Sequence, residues 1–163
     1  MFKVGIITAS DKGAAGQRVD ESGKIIREMV TAYGFMVTDY RLVPDDQSLI
    51  SRTMMELADD EGVDLILTTG GTGFSPRDWT PEATKDIIHR EAPGIAEAMR
   101  AHSMTITPKA MLSRAVAGIR NQCLIINMPG SPKAVRENLE CILPALPHAL
   151  EILTGQAGEC GQA

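Results

Sequence analysis

The 163-residue sequence predicts an α/β domain of three layers, a mostly parallel sheet with helices on both faces. Short apolar runs typical of buried strands alternate with longer stretches of helical periodicity, which is the pattern of βαβ units. Glycine, proline and aspartate cluster directly after the apolar runs, where the βα loops would lie. We expect one domain over residues 1–153 and a flexible tail over 154–163, because the last residues are small and polar.

The first half of the chain predicts three strands, over 2–8, 35–43 and around 65–67, joined by two helices. The first helix carries apolar residues at helical spacing after Asp20 and ends at Gly34, a typical C-cap. One aspartate of the pair Asp45 and Asp46 caps the second helix, which ends at Gly62. Alternation of this kind implies right-handed crossovers and a parallel sheet.

The second half predicts a helix that begins with Thr80 as N-cap and Pro81 at the first helical position. Helical periodicity resumes over 95–102, and Thr107 with Pro108 repeats the cap-plus-proline start for a short helix that ends at Leu112. A strand follows over 123–128, after a turn around residues 120–121. The last helices cover about 133–153, with Ser131 as the predicted cap.

Polar or glycine-rich loops follow four predicted strands, at 10–11, 45–46, 70–78 and 127–131. The carboxyl ends of parallel strands meet at one edge of a sheet, and ligands bind in the crevice there. In the stretch 63–84 a strand runs into Gly70-Gly71-Thr72-Gly73 and then into a helix, an arrangement that offers backbone N–H groups to an anion. The glycine run matches neither a P-loop nor a dinucleotide fingerprint, so the alternative of an ordinary βα connection stays open.

Carboxylates repel phosphates unless a cation lies between them. Aspartates and anion-binding loops at the same edge of the sheet therefore indicate a bound cation. Mg²⁺ is bound in proteins by one or two carboxylates together with substrate phosphates. Asp45 and Asp46 have the alternative role of capping a helix, and Asp78 that of stabilising a turn. Arg77 and Arg114 are either solvated surface groups or phosphate contacts.

Composition excludes several classes of protein. A net charge of −5 argues against nucleic-acid binding, which normally requires a basic face. The three cysteines have no metal-ligand spacing and indicate a reduced chain, and the histidines form no pattern with serine or cysteine. No apolar run reaches the length of a signal peptide core or a membrane span, so we expect a cytoplasmic protein.

The stretch TTGGTGFSPRDWTPEAT, residues 68–84, resembles the signature of the MogA/MoaB family of molybdenum cofactor biosynthesis, a domain also found in gephyrin. The resemblance extends over residues 2–153. Further matching motifs, in the same order along the chain, are Ser10-Asp11, Asp20-Glu21-Ser22-Gly23, Val43-Pro44-Asp45, Ser113-Arg114 with Ala117-Gly118, and residues 126–132. Two departures, Trp79 and Ser131, could retune the pocket.

The resemblance implies the same α/β fold and the activity of a Mg²⁺-dependent molybdopterin adenylyltransferase, which transfers AMP from ATP to molybdopterin and releases pyrophosphate. Asp45 and Asp78 match the family positions implicated in catalysis and metal binding. The positions that match the substrate- and nucleotide-binding loops, or lie near that pocket, are Ser10, Asp11, Ser22, Gly23, Gly70, Gly71, Thr72, Gly73, Ser113, Arg114, Asn127, Pro129, Gly130 and Ser131.

The family also implies a homotrimer, or a hexamer of paired trimers, that works with other proteins of molybdenum cofactor biosynthesis. The apolar residues of 93–112 agree with an oligomer, because they exceed what one short amphipathic segment needs. The alternative function is a non-catalytic molybdopterin-binding or assembly module of the MoaB branch. The presence of both Asp45 and Asp78 favours the enzyme.

Overall fold

The computed structural model describes residues 1–157, which contain a six-stranded sheet in the order β2-β1-β3-β6-β5-β4. The strands are β1 (Lys3–Ala9), β2 (Met36–Val43), β3 (Leu65–Thr69), β4 (Arg90–Glu91), β5 (Ala117–Arg120) and β6 (Cys123–Met128). The four strands β2, β1, β3 and β6 are parallel, whereas β5 is antiparallel to both β6 and β4. The mostly parallel sheet predicted from the sequence is therefore confirmed.

Helices cover both faces of the sheet. They are α1 (Asp11–Ala14), α2 (Glu21–Ala32), α3 (Gln47–Met55), α4 (Thr80–Lys85), α5 (Pro93–Met104), α6 (Pro132–Ile142) and α7 (Leu146–Leu153). A π-helical turn (Glu56–Asp60) extends α3, and 3₁₀ turns lie at Pro108–Leu112 and Leu143–Ala145.

Side chains alternate between the two faces along the central strands, which divides the core into two layers. Ile6 and Leu67 point to one face, where they pack with residues of α2, α5, α6 and α7. Ile7 and Ile66 point to the other face and pack with residues of α3 and α4. Because both faces are buried, these strands are continuously apolar, as the sequence shows. The three-layer architecture is thus confirmed.

Three short elements were not expected. α1 forms where a loop was predicted, capped by the Ser10 side chain, which accepts from the backbone N–H of Gly13. β5 leads into the turn predicted around residues 120–121, and the two-residue β4 lies in a stretch where no strand was predicted. Both strands are too short for an alternating pattern to be visible, and β4 pairs with a strand that lies far along the chain.

The chain after α7 is described only as far as residue 157. The backbone N–H groups of Gln156 and Ala157 both donate to the Glu151 carbonyl, so this part of the predicted tail closes the helix. Residues 158–163 of that tail lie outside the described residues. Within residues 1–157, no helix has the length and apolarity that a membrane crossing requires.

Candidate functional site

The carboxyl ends of the four parallel strands enclose a cleft of about 620 Å³. All four loops singled out from the sequence contribute to its walls, together with the start of α2. Its lining includes Ser10, Asp20, Ser22, Asp45, Gly70, Gly71, Asp78, Gly130 and Ser131. The convergence of these loops on one edge of the sheet follows from the parallel topology.

Asp11 and Asp45 bind each other's backbone across the β1 and β2 ends. The Asp11 N–H donates to Oδ2 of Asp45 over 3.0 Å, and the Asp45 N–H donates to Oδ1 of Asp11 over 3.0 Å. Arg77, which follows the glycine loop in the chain, donates through Nε and Nη2 to the two carboxylate oxygens of Asp11, each over 3.0 Å. These contacts hold the Asp45 carboxylate, which lines the cleft, next to Asp11, which is not part of the lining.

The two aspartates of the pair after β2 have different roles. Asp46 caps α3, since its Oδ1 accepts from the Leu49 N–H over 2.8 Å, and this leaves Asp45 free of any capping role. Burial raises the pKa of the Asp45 carboxyl, and the negative charges of Asp11 and Asp78 raise it further. The hydrogen bond from Arg77 lowers the pKa of the Asp11 carboxyl. Of these two carboxylates, Asp45 is therefore the one whose charge the surrounding protein compensates less.

Asp78 both stabilises a turn and lines the cleft. Its Oδ2 accepts from the Ser75 N–H over 3.0 Å, as the turn interpretation of the sequence required. The same residue lies in the cleft lining with Asp45, and its charge contributes to the raised pKa of Asp45. The structural and functional interpretations of Asp78 are thus compatible.

Every carbonyl of the glycine loop, residues 70–73, accepts a hydrogen bond from the protein. Thr80 binds the first two, through Oγ1 to Gly70 over 2.9 Å and through its N–H to Gly71 over 3.1 Å. Arg114 binds the next two, through its N–H to Thr72 over 2.8 Å and through Nε to Gly73 over 2.7 Å. Gly70 and Gly71 have φ values of 91° and 71°, which only glycine adopts readily.

The α4 start is consequently different from the expected one. The helix begins at Thr80, with Trp79 in the N-cap position and no side-chain cap. The predicted capping role of Thr80 was wrong, because its hydroxyl is used to bind the Gly70 carbonyl. The predicted cap at Ser131 is confirmed, since its Oγ accepts from the Ala134 N–H over 3.2 Å.

The second loop, residues 129–131, is held in a similar way. The Thr69 hydroxyl donates to the Pro129 carbonyl over 2.6 Å, and the Ser22 hydroxyl donates to the Gly130 carbonyl over 2.7 Å. Ser22 thereby ties the start of α2 to the loop that precedes α6. Two helix N-termini and two glycine-containing loops are fixed around the same cleft.

Several residues matched to the binding loops lie away from the cleft. Asn127 is fully buried, and its side chain is engaged with Thr68, Thr84 and the Val116 N–H, so it does not contact a ligand. Gly23 is also buried, and a Cβ there would overlap Asp20. The Arg114 guanidinium is engaged by Glu82 and by the Gly73 and Asp78 carbonyls.

A second cavity, of about 370 Å³, lies on the other side of the two loops. Five residues of the predicted binding set line it, namely Thr72, Gly73, Ser113, Pro129 and Ser131, and the last of these also lines the cleft. α5 and α6 supply its apolar wall, which includes Met99 and Ala134. The predicted site residues therefore separate into a polar cleft and a more apolar cavity that share the loops.

Two hydrogen-bond partners of Asp20, namely Thr8 and Tyr40, were missed from the sequence. The hydroxyls of Thr8 and Tyr40 both donate to Oδ2 of Asp20, whose Oδ1 caps α2 through the Gly23 N–H. Burial and the neighbouring Asp20 raise the pKa of Tyr40 to about 12, so this hydroxyl stays protonated as a donor. Only the Asp20 motif was visible beforehand, because nothing in a single sequence links Tyr40 to it.

Comparison with known proteins agrees with this geometry. The family model described as a probable molybdopterin binding domain matches residues 5–148. A molybdopterin adenylyltransferase of Helicobacter pylori J99 is 43% identical over 154 residues, which cover 93% of this chain and 88% of that protein.

Solved structures show the same similarity. The molybdopterin biosynthesis enzyme MoaB of Thermus thermophilus is 54% identical, with a TM-score of 0.90 over 95% of this chain and 98% of that one. The tungsten cofactor synthesizing protein MoaB of Pyrococcus furiosus is 38% identical, with a TM-score of 0.86 over 94% and 97%. The family model and these relatives match most of the chain, and the chain belongs to the MogA/MoaB family of molybdenum cofactor biosynthesis proteins.

Proposed function

We propose that this protein is a molybdopterin adenylyltransferase. The terminal phosphate of molybdopterin attacks the α-phosphorus of ATP, a new P–O bond forms, and the bond to the bridging oxygen breaks, so that pyrophosphate leaves with the electron pair. The observation that carries the proposal is the cleft itself. It combines two fixed loops suited to phosphates with two carboxylates, Asp45 and Asp78, which would otherwise repel those phosphates.

The loops supply the phosphate contacts. In a trans peptide the C=O of one residue and the N–H of the next point in opposite directions. Because the carbonyls of Gly70 and Gly130 are bound by protein donors, the N–H groups of Gly71 and Ser131 are turned away from those donors. The N-terminus of α6 adds a positive dipole end next to Ser131. We assign the phosphate-binding role to these groups.

Asp45 and Asp78 are the residues that would hold Mg²⁺ with ATP. Within residues 1–157 no three acidic, histidine or cysteine side chains come close enough together to form an all-protein metal site. A site with only the two carboxylates of Asp45 and Asp78 fits Mg²⁺, because this ion uses one or two carboxylates and completes its coordination shell with phosphate and water oxygens. Bound with ATP, Mg²⁺ would offset the charge that gathers on the α-phosphate and the departing pyrophosphate.

Arg114 has a different role from the one that the resemblance implied. Its guanidinium binds protein acceptors on both sides of the glycine loop, so we assign it to holding the loop rather than to binding phosphate. Arg77 is bound to Asp11, which leaves the loop amides and the helix ends as the main anion-binding groups.

The direct test is incubation of the purified protein with ATP, Mg²⁺ and molybdopterin, with detection of adenylylated molybdopterin and pyrophosphate. Formation of both products only when all three components are present is the expected result. The other candidate is the non-catalytic molybdopterin-binding or assembly module of the MoaB branch. Molybdopterin binding without product formation would establish that alternative.

We further propose a homotrimer, or a hexamer of paired trimers, that works in the cytoplasm with other proteins of molybdenum cofactor biosynthesis. Met99 of the predicted apolar segment packs in the core, but Met104, Ile106, Met111 and Leu112 at its end are exposed. Adjacent exposed apolar side chains are typical of a protein contact. Sedimentation is expected to show an oligomer at micromolar concentration, and a stable monomer would contradict the proposal.

A further inference from the structure

We infer that Thr80 and Arg114 are positioning residues, which hold the glycine loop so that its amide N–H groups are presented to the substrate's phosphates. This inference rests on the proposed phosphate-binding role of the loop. Neither side chain is required to touch the substrate. The two residues together bind four consecutive carbonyls, those of residues 70–73. Their side chains bind the Gly70 and Gly73 carbonyls, and their backbone N–H groups bind the two carbonyls between.

The peptide geometry of the glycine loop fixes the direction of its N–H groups. The described residues contain no cis peptide bond, so each bound carbonyl fixes the N–H of the following residue in the opposite direction. The N–H groups concerned belong to Gly71, Thr72, Gly73 and Phe74. Within residues 1–157, none of these four N–H groups donates to a protein acceptor. Buried backbone N–H groups are normally hydrogen-bonded, and Thr72 is buried while Phe74 is exposed to solvent, so the free N–H of Thr72 is the one that most directly indicates an external acceptor.

We call the hydrogen bonds from Thr80 and Arg114 to the carbonyls of residues 70–73 the clamp. The packing around Thr80 shows that the clamp requires the start of α4 to lie close to the glycine loop. Thr80 is fully buried at the start of α4, and its own carbonyl accepts from the Thr84 hydroxyl over 2.8 Å. A Cβ on Gly71 would lie 2.3 Å from Oγ1 of Thr80. Glycine at position 71 is therefore needed both for its φ of 71° and for the passage of the Thr80 hydroxyl to the Gly70 carbonyl.

Arg114 extends the same clamp to the end of the loop. Besides the Thr72 and Gly73 carbonyls, it binds the Asp78 carbonyl through Nη2 over 2.7 Å and the Glu82 carboxylate through Nη1. The residue therefore joins both ends of the segment 72–78 and connects them to α4. A lysine could keep the charge but could not serve these acceptors at once, because it lacks the planar fork.

The test compares Thr80→Val, which keeps the shape but removes the hydroxyl, with Thr80→Ser, which keeps the hydroxyl. The probe is inorganic pyrophosphate, measured by titration calorimetry and by amide chemical shifts. Loss of one orienting hydrogen bond predicts a dissociation constant raised roughly five- to twentyfold in Thr80→Val. Thr80→Ser is expected to restore affinity to within about twofold, and Arg114→Lys to weaken binding at least as much as Thr80→Val.

Thr53→Val is the matched control, since Thr53 is also buried and its hydroxyl donates to the Leu49 carbonyl within α3, away from the loop. It is expected to lower the melting temperature without changing pyrophosphate affinity. A folded Thr80→Val protein that binds pyrophosphate as the wild type does would overturn the inference.

The wild-type protein provides a test that needs no variant. Pyrophosphate is expected to shift the amide resonances of Gly71, Thr72 and Gly73 most strongly, and a response confined to other amides would overturn the inference. The readout is binding rather than turnover. Absence of adenylyl transfer would therefore overturn the proposed function while these amide shifts still decided the role of the clamp.

Discussion

Two charged clusters lie at opposite ends of the sheet and differ in how their charge is balanced. At the amino end of β6, the Asp59 carboxylate accepts hydrogen bonds from Nε and Nη2 of Arg120, the shortest over 2.7 Å. It also accepts one from the side-chain amide of Asn121. At the carboxyl ends, Asp11, Asp45 and Asp78 lie together with Arg77 as the only guanidinium that contacts any of these three carboxylates within residues 1–157.

The pKa values of Asp59 and Asp45 are shifted in opposite directions, which agrees with the difference in charge balance. Arg120 lowers the pKa of the Asp59 carboxyl, as expected of a satisfied ion pair. Burial raises the pKa of the Asp45 carboxyl, and the charges of Asp11 and Asp78 add to the effect. The Asp59 cluster is complete within the protein and has a structural role, whereas the Asp45 cluster holds excess negative charge beside an open cleft. Excess charge of this kind is what a cation-dependent site requires.

The largest expected effect is on turnover. Asp45→Asn and Asp78→Asn keep the size of the side chain and its ability to accept hydrogen bonds, but they remove the charge. Loss of one such electrostatic element costs about 10²–10³ in rate. The measurement is adenylyl transfer by folded variants, with Asp46→Asn as control, because asparagine is an equally good cap. Wild-type turnover in Asp45→Asn would show that the reaction does not need the charge of Asp45, and it would contradict the functional distinction between the two clusters.

The second effect is on stability and concerns the opposite end of the sheet. Asp59→Asn leaves Arg120 without its ionic partner, and because the pair is near the surface the free energy of unfolding is expected to fall by only about 0.5–1 kcal/mol. Turnover is expected to stay at the wild-type level, because the cluster is at the edge of the sheet away from the cleft. Chemical denaturation and the transfer assay measure the two quantities separately. Lost turnover at unchanged stability would show that Asp59 belongs to the functional site.

The smallest effect is the pH dependence of stability, which has opposite signs at the two clusters. The raised pKa of Asp45 means that its ionised form costs stability at pH 7, and that this cost disappears as pH falls through the folded pKa. Without Mg²⁺, Asp45→Asn should therefore melt above the wild type at pH 7, with the difference shrinking in acid. The lowered pKa of Asp59 stabilises the wild type above the unfolded value, so Asp59→Asn should melt below it at pH 7. Melting curves from pH 7 to acid check both signs.

Much of the cleft could be predicted from local sequence patterns. The glycine loop, the Asp46 and Ser131 caps and the four polar strand ends depend on residues within a few positions of one another. Parallel topology then brought the loops to one edge. These are interactions of short range or consequences of strand direction, and both are encoded locally.

The contacts that position the site could not be predicted in this way. Arg114 binds carbonyls 36 and 41 residues away, and Tyr40 reaches Asp20 across 20 residues. Asn127 stood out as a polar residue at a strand end, yet it lies inside β6, opposite Thr68 of β3, in a buried network. Such partners depend on tertiary packing, which overrides the local pattern.

We propose that Asp45 provides charge for a cation rather than for the fold. Binding of a non-hydrolysable ATP analogue to the wild type and to Asp45→Asn, each with Mg²⁺ and with a chelator, tests it most directly. The wild type is expected to bind the analogue far more tightly with Mg²⁺ than with the chelator, and Asp45→Asn is expected to lose most of that difference while remaining folded. An equal Mg²⁺ dependence in both proteins would contradict the account.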